Sequence, residues 1–231
     1  MKMKQIQGLR TGYRRMTMNV VFLGKSTEEK KFLLLCLAKI MSCREKVVLI
    51  SKSPYITGDM TDTFEYCGIE IVRCRSHENP LSKVIEGACN FLDVDELVNV
   101  PENYTVVAVS EPARRILEGC AELTREYIWL RPSLSMILIF LNVMEYSRID
   151  EKYLSMLWER YLPSFAKIER VYTIYFEYQN RSLMIESQFI DKLPLKRLSP
   201  GLKSALKAII QDIFQLGKKE AGMLFRKAER V

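Results

Sequence analysis

Met18-Asn-Val-Val-Phe-Leu23 runs straight into Gly24-Lys-Ser-Thr27 and then into Glu28-Glu-Lys-Lys-Phe-Leu-Leu-Leu-Cys-Leu37. The first six residues are a short, β-rich apolar run, suited to a strand covered on both faces. Ser26 with Glu29 three positions on forms a capping box, so a helix is expected to begin there. Phe32, Leu33, Leu35, Cys36, Leu37 and Ile40 then spread over one wide face, as in a helix lying on a sheet. Lys46-Val-Val-Leu-Ile-Ser51 supplies a second buried strand. Two such strands joined by one helix make a βαβ unit, which closes as a right-handed parallel crossover.

The pattern continues outward from this unit. Gly68-Ile-Glu-Ile-Val-Arg73 reads as a third strand and Pro80 to about Phe91 as a short helix. Tyr104-Thr-Val-Val-Ala-Val109 reads as a fourth strand, followed by a helix with Pro112 in its first turn that runs to about Arg125. Tyr127-Ile-Trp-Leu130 and Met136-Ile-Leu-Ile-Phe-Leu141 are two further strand candidates. Asp150 to Tyr161 reads as a helix, Ile168 to Phe176 as the last strand, and Pro200 to Lys227 as one or two closing helices. Strands alternating with helices predict a three-layer α/β sandwich with a mainly parallel sheet. The 231 residues suit one such domain over 18–216, with a basic extension over 1–17 and a basic amphipathic segment over 217–231.

Composition narrows the function. Hydrophobic residues at 48% and charged residues at 27% are ordinary for a packed protein and exclude disorder as the main state. The longest apolar run, Leu134 to Met144, is broken by Ser135 and Asn142 and falls far short of the ~20 residues of a membrane span. Residues 1–17 lack the apolar core of a secretory signal, so a cytoplasmic protein, peripheral to a membrane at most, is expected. Six cysteines without a CxxC spacing read as buried thiols in a reducing compartment. His77 is the one histidine and sits in a polar loop, which argues against a zinc site and against hydrolases built on a histidine base.

The net charge of +7 is concentrated at the ends, with +5 over residues 1–17, +4 over residues 198–231 and −2 between them. Beyond Gly217, Lys218, Lys219, Arg226, Lys227 and Arg230 surround Met223, Leu224 and Phe225. A short basic amphipathic helix of this kind either docks on its own chain or meets an anionic membrane surface, a nucleic acid or a protein partner.

Ligands of open α/β sheets bind outside the carboxyl ends of the strands. Gly24, Lys25, Ser26 and Thr27 stand at the first such end and match the last four positions of the phosphate-binding pattern GxxxxGK[ST]. The position of the first glycine is Asn19, inside the strand, so the glycine-rich turn that would surround phosphates is missing. Helix capping by Ser26 and weak nucleotide or anion binding by Gly24–Thr27 are the two readings of this tetrapeptide. Glu111 before Pro112 reads as complementing the next helix's dipole, with a polar site made with Arg114 and Arg115 as the alternative. Arg131-Pro-Ser-Leu-Ser135 reads as a turn, with anion binding as its alternative. Tyr172, Ile174 and Phe176 alternate onto one strand face and read as core; stacking on a base is the alternative.

The strand, the Gly24–Thr27 tetrapeptide, the apolar helix and Lys46–Ser51 together resemble the opening of the ParA/MinD group of P-loop ATPases. Ile174-Tyr-Phe-Glu-Tyr-Gln-Asn-Arg-Ser-Leu-Met-Ile-Glu-Ser-Gln188, then Leu193-Pro-Leu-Lys-Arg-Leu-Ser-Pro200 and an amphipathic helix, are similar to that group's last strand, the loop over its nucleotide base and its closing helix. The TadZ/CpaE pilus-assembly branch, whose members often have altered ATP sites, is the nearest in character. The resemblance implies a P-loop NTPase-like fold. This sequence departs from the group where its chemistry would lie. The signature lysine has no counterpart, the second strand ends in Ser51-Lys52-Ser53 instead of an aspartate, and Tyr104–Val109, taken as the Walker B strand, ends in Ser110. The 129–136 segment is also too short for a helix between parallel strands. With cradle and carboxylates absent, the expectation is a pseudo-ATPase with no cofactor: a non-catalytic scaffold or localisation protein of a secretion or pilus-type assembly, acting through protein partners or self-association. An ATPase using Lys25, Ser26 and Thr27, or a nucleic-acid binder using the basic ends, is the alternative.

Overall fold

A computed structural model describes residues 18–55, 61–190 and 192–230. The basic extension over 1–17 therefore lies outside the described residues. Along the chain come β1 (Asn19–Leu23), α1 (Glu28–Ser42), β2 (Val47–Ser51), β3 (Thr63–Tyr66), β4 (Ile69–Arg73), β5 (Cys89–Val94) and β6 (Thr105–Ser110). Then follow α2 (Arg114–Leu130), β7 (Ser135–Val143), α3 (Glu151–Tyr161), β8 (Lys167–Tyr175), α4 (Tyr178–Ser187), α5 (Pro200–Phe214) and α6 (Lys218–Ala228). The eight strands form one sheet in the order β3-β4-β2-β5-β1-β6-β7-β8, parallel throughout except for β3. The expected three-layer, mainly parallel α/β sandwich is what the chain adopts.

Alternation along the central strands divides the core. Val20 and Phe22 of β1 face a layer built by α1, α4, α5 and α6, while Val21 and Leu23 face the layer of α2 and α3. Both faces are thus covered, which is why the strands read as continuous apolar runs. α1 is enclosed almost all round, so even Lys30, Lys31 and Lys39 are buried along it. Each of these lysines has an acceptor: Lys39 reaches the carbonyl of Cys67 at 2.9 Å and Lys31 the carboxylate of Glu28 at 2.7 Å. α6 seats Ala221, Phe225 and Ala228 in the same apolar layer, so its hydrophobic side is used within the chain.

Several sequence expectations are corrected. Residues 80–91 do not form a helix: a single 3₁₀ turn at Pro80–Lys83, capped by the Asn79 side chain, precedes the fully buried strand β5. β5 is wedged between β2 and β1, where two rows of backbone hydrogen bonds outweigh local helix preference. Tyr127–Leu130 is not a strand but the last turn of α2, with Tyr127 and Ile128 buried beneath it. The β6–α2–β7 crossover is thereby of ordinary length. The hairpin strand β3 was not expected. Cys67 (φ 54°) and Gly68 (φ 78°) turn it back onto β4 as a two-residue loop of left-handed residues, the arrangement that tight hairpins favour. The stretch likened to a loop after the last strand is in part the helix α4.

Two predictions follow from the packing. Gly24 holds φ at +114°, and a Cβ there would lie 2.3 Å from the carbonyl oxygen of Val109. Gly24→Ala is expected to cost about 2–4 kcal/mol in urea unfolding, because both the backbone conformation and a main-chain atom resist it. The second concerns thiols: burial pushes Cys36 and Cys89 far up and Cys120 to about 11. The native state keeps these thiols neutral, whereas in the unfolded chain they ionise near pH ~8.5. Their contribution is therefore complete at neutral pH and is lost as pH climbs from there through about 11. Urea midpoints measured from pH 7 to 10.5 should fall, and Cys120→Ala should flatten part of that slope.

Candidate functional site

At the carboxyl end of β1 the chain passes from sheet to helix in four residues, Gly24 to Thr27. The Gly24 amide donates to the carbonyl of Val94 at 3.0 Å, which locks the turn against the end of β5. The helix begins one residue later than the capping box suggested. Thr27, not Ser26, is the N-cap, accepting from the Lys30 amide at 3.2 Å. Ser26 is free to turn sideways, and its hydroxyl donates to Asp93 Oδ2 at 2.5 Å.

Asp93 is the centre of the site, and sequence reasoning missed it because β5 was read as helix. It is buried near the end of β5, between β1 and β2. Ser51 at the end of β2 donates to Oδ2 at 3.1 Å, and the Tyr55 hydroxyl does so at 3.0 Å. Oδ1 faces the Lys30 ammonium at 2.7 Å, with both side chains shut away from water. Lys30 comes from the first turn of α1 and folds back beneath β1, where it also donates to the carbonyls of Phe22 at 2.9 Å and Gly24 at 2.5 Å. Its three hydrogens thus have three acceptors, the condition under which a buried ammonium is tolerated. Burial and the neighbouring Asp93 carboxylate push the Tyr55 phenol well above its ordinary range, so it stays a donor.

The other side of the turn carries a second carboxylate. Glu111 follows β6 and accepts from the Thr27 hydroxyl, so it serves the start of α1 and not the helix that follows it. The expectation that carboxylates are absent from these strand ends is corrected: Asp93 and Glu111 flank the tetrapeptide, each hydrogen-bonded to one of its hydroxyls. Glu28 and Glu29 add two more in the first helical turn, linked to Gln188 and Arg181 around α4. Lys25 points outward and is exposed. The rim is therefore predominantly acidic. No group of three or more His, Cys, Asp or Glu side chains is placed to hold a metal among the described residues.

The remaining candidates scatter. Arg114 pairs with Glu118 at 2.9 Å, away from Glu111. Arg131 donates to the carbonyls of Pro101 and Glu102 and pins the turn before β7. The Tyr172 hydroxyl bonds Asp212 at 2.5 Å and Ala208 O at 3.1 Å, and Ile174 is core. His77 is exposed in a turn. Lys218, Lys219, Arg226, Lys227 and Arg230 all face solvent on α6 and beyond it, with Lys227 also reaching the Cys43 carbonyl at 2.7 Å. No helix among the described residues is long and apolar enough to cross a membrane.

Removing one member of the buried pair leaves its partner charged and unpaired. Lys30→Met or Asp93→Leu alone is expected to cost about 3–5 kcal/mol, and the double variant clearly less than the sum. A double-mutant cycle by chemical denaturation measures that coupling.

No family model matches the chain, and no curated protein matches it. Solved structures do. The MinD cell division protein of Aquifex aeolicus superposes with a TM-score of 0.58 at 11% identity, over 87% of this chain and 98% of that one. The MinC:MinD cell division protein complex of the same organism gives 0.54 at 11% identity, over 86% and 95%. A ParA family ATPase from Chlorobium tepidum TLS gives 0.53 at 11% identity, over 92% and 99%. At this identity the likeness speaks of architecture alone, and the chain has the α/β fold of the MinD and ParA P-loop ATPases.

Proposed function

We propose that this chain is a pseudo-ATPase: a non-catalytic scaffold or localisation protein that keeps the sheet and surfaces of the MinD/ParA fold without turning over nucleotide. The observation that carries this reading is the Lys30–Asp93 pair. Phosphoryl transfer needs cationic and backbone donors aimed at the phosphates. Here the buried cation nearest the strand end is spent on a carboxylate and two carbonyls of its own chain. The four-residue turn leaves few amides to surround a phosphate, and Asp93, Glu111, Glu28 and Glu29 set a negative field where an anion would sit.

A scaffold acts through its surface. The docked apolar side of α6 favours contact through its basic face over insertion into lipid, which suits an anionic patch on a protein partner or a membrane surface. Cytoplasmic residence and a place in a secretion or pilus-type assembly, as in the TadZ/CpaE branch, extend the same reading. One observation favours the alternative of an ATP-binding ATPase. Asp93 and Ser26 stand at adjacent strand ends, where a carboxylate and a hydroxyl together suit a magnesium ion.

Titration calorimetry with ATP and magnesium separates the two. The scaffold reading expects no saturable heat up to millimolar nucleotide, for the chain and for Lys25→Ala alike. Saturable binding that Lys25→Ala abolishes would overturn it.

A further inference from the structure

The two edges of the sheet are built differently. β3 closes one side as a four-residue antiparallel strand, whereas β8 closes the other with nine residues and, among the described residues, has β7 as its one strand neighbour. An open strand edge presents a row of free amides and carbonyls, and proteins usually blunt it with charges or a bulge. β8 has both, but only in its first half. Lys167, Glu169 and Arg170 lie there, and the register with β7 skips Glu169 between Ile168 and Arg170. Beyond that bulge, Arg170-Val-Tyr-Thr-Ile-Tyr-Phe176 runs on without proline and without another charge. Val171 and Tyr175 are 37% and 45% exposed along it.

The surroundings point the same way. Of the fifteen large hydrophobic side chains that are exposed, all but Leu97 and Met223 fall between residues 129 and 190, the stretch that holds β8 and the helices beside it. An apolar bias confined to one end of a molecule marks a contact surface.

The unblunted half of β8 is also complementary to itself. A two-fold axis normal to the sheet at Thr173 brings a second strand alongside, antiparallel. Thr173 then meets its own copy, Tyr172 meets Ile174, Val171 meets Tyr175, and Arg170 meets the ring of Phe176. Aromatic–β-branched and Thr–Thr pairs are the favoured neighbours across antiparallel strands, and no like charges are opposed. The Thr173 hydroxyl is enclosed and has no hydrogen-bond partner within the chain, among the described residues. Its copy across the axis would supply one.

We propose that the chain forms a homodimer through antiparallel pairing of residues 170–176 of β8, joining two eight-stranded sheets into one. The occupant of this edge is a second copy and not a foreign strand, because the segment matches its own reverse. The dimer is independent of nucleotide, since no part of the Gly24–Thr27 turn takes part in it.

Light scattering on the purified chain should give twice the mass of one chain at tens of micromolar, with or without ATP. Val171→Lys places a lysine beside Tyr175 of each copy. It should halve the mass while leaving the far-ultraviolet circular dichroism unchanged. Thr173→Cys should form an interchain disulfide on mild oxidation, because residues facing each other in an antiparallel ladder have Cα atoms about 4.5–5.5 Å apart, within disulfide reach. Met223→Cys, exposed on α6, should form none. A monomer at 100 µM would overturn the proposal. So would a dimer that Thr173→Cys does not cross-link, and that second readout holds even where Val171→Lys disturbs folding.

Discussion

An ammonium and a carboxylate withdrawn from water each lose several kcal/mol of hydration, and their attraction repays this only where the remaining donors and acceptors are also satisfied. Lys30 and Asp93 meet that condition. The ammonium spends its other two hydrogens on the carbonyls of Phe22 and Gly24, and the far oxygen of the carboxylate takes Ser26, Ser51 and Tyr55. One charge pair therefore ties the first turn of α1 to β1, β5 and β2 at once. It also explains the shape of the turn. Gly24 must approach both Val94 and Val109 closely enough to leave no room for a side chain, and its carbonyl must point inward to the ammonium.

Fold and activity are separable in this molecule. The sheet is held by apolar side chains on both faces, and those contacts ask nothing of the groups at the strand ends. A chain 11% identical to ATPases of known structure can thus share their architecture while its strand ends take on other chemistry. Here that chemistry is inward-looking: hydroxyls, carboxylates and an ammonium bonded to one another, with the acidic groups toward the rim. Surfaces are what such a protein has to offer, and the basic face of α6 and the apolar β8 end lie on separate elements.

The strands and helices that were legible in the sequence are those whose periodicity is unmixed. β1, β2, β4, β6 and β7 are runs of aliphatic and β-branched residues, and α3 and α5 carry apolar stripes behind clear caps, Asp150 and Ser199. Cys89-Asn-Phe-Leu-Asp-Val94 hid its nature, because Asn and Asp weaken a strand signal locally. Both polar residues are there for tertiary reasons. Asn90 bonds Asn19 and the carbonyls of Ile85 and Ala88, and Asp93 takes the ammonium. Tyr127-Ile-Trp-Leu130 deceived in the opposite sense, as β-formers closing a helix whose buried side needs Tyr127 and Ile128. Half of the candidate site was visible, namely Gly24, Ser26 and Thr27. Lys30 looked like one more exposed charge in a Glu-Glu-Lys-Lys run, and nothing in a linear reading announces that it folds inward.

The account rests on where the Lys30 ammonium resides when nucleotide is plentiful. A crystal structure of the chain grown with millimolar ATP and magnesium tests this directly. The account predicts Lys30 Nζ against Asp93 and the carbonyls of Phe22 and Gly24, with no phosphate bound at Gly24–Thr27. A triphosphate seated on the α1 N-terminus, with Lys30 or Asp93 drawn out to meet it or its metal, would contradict it.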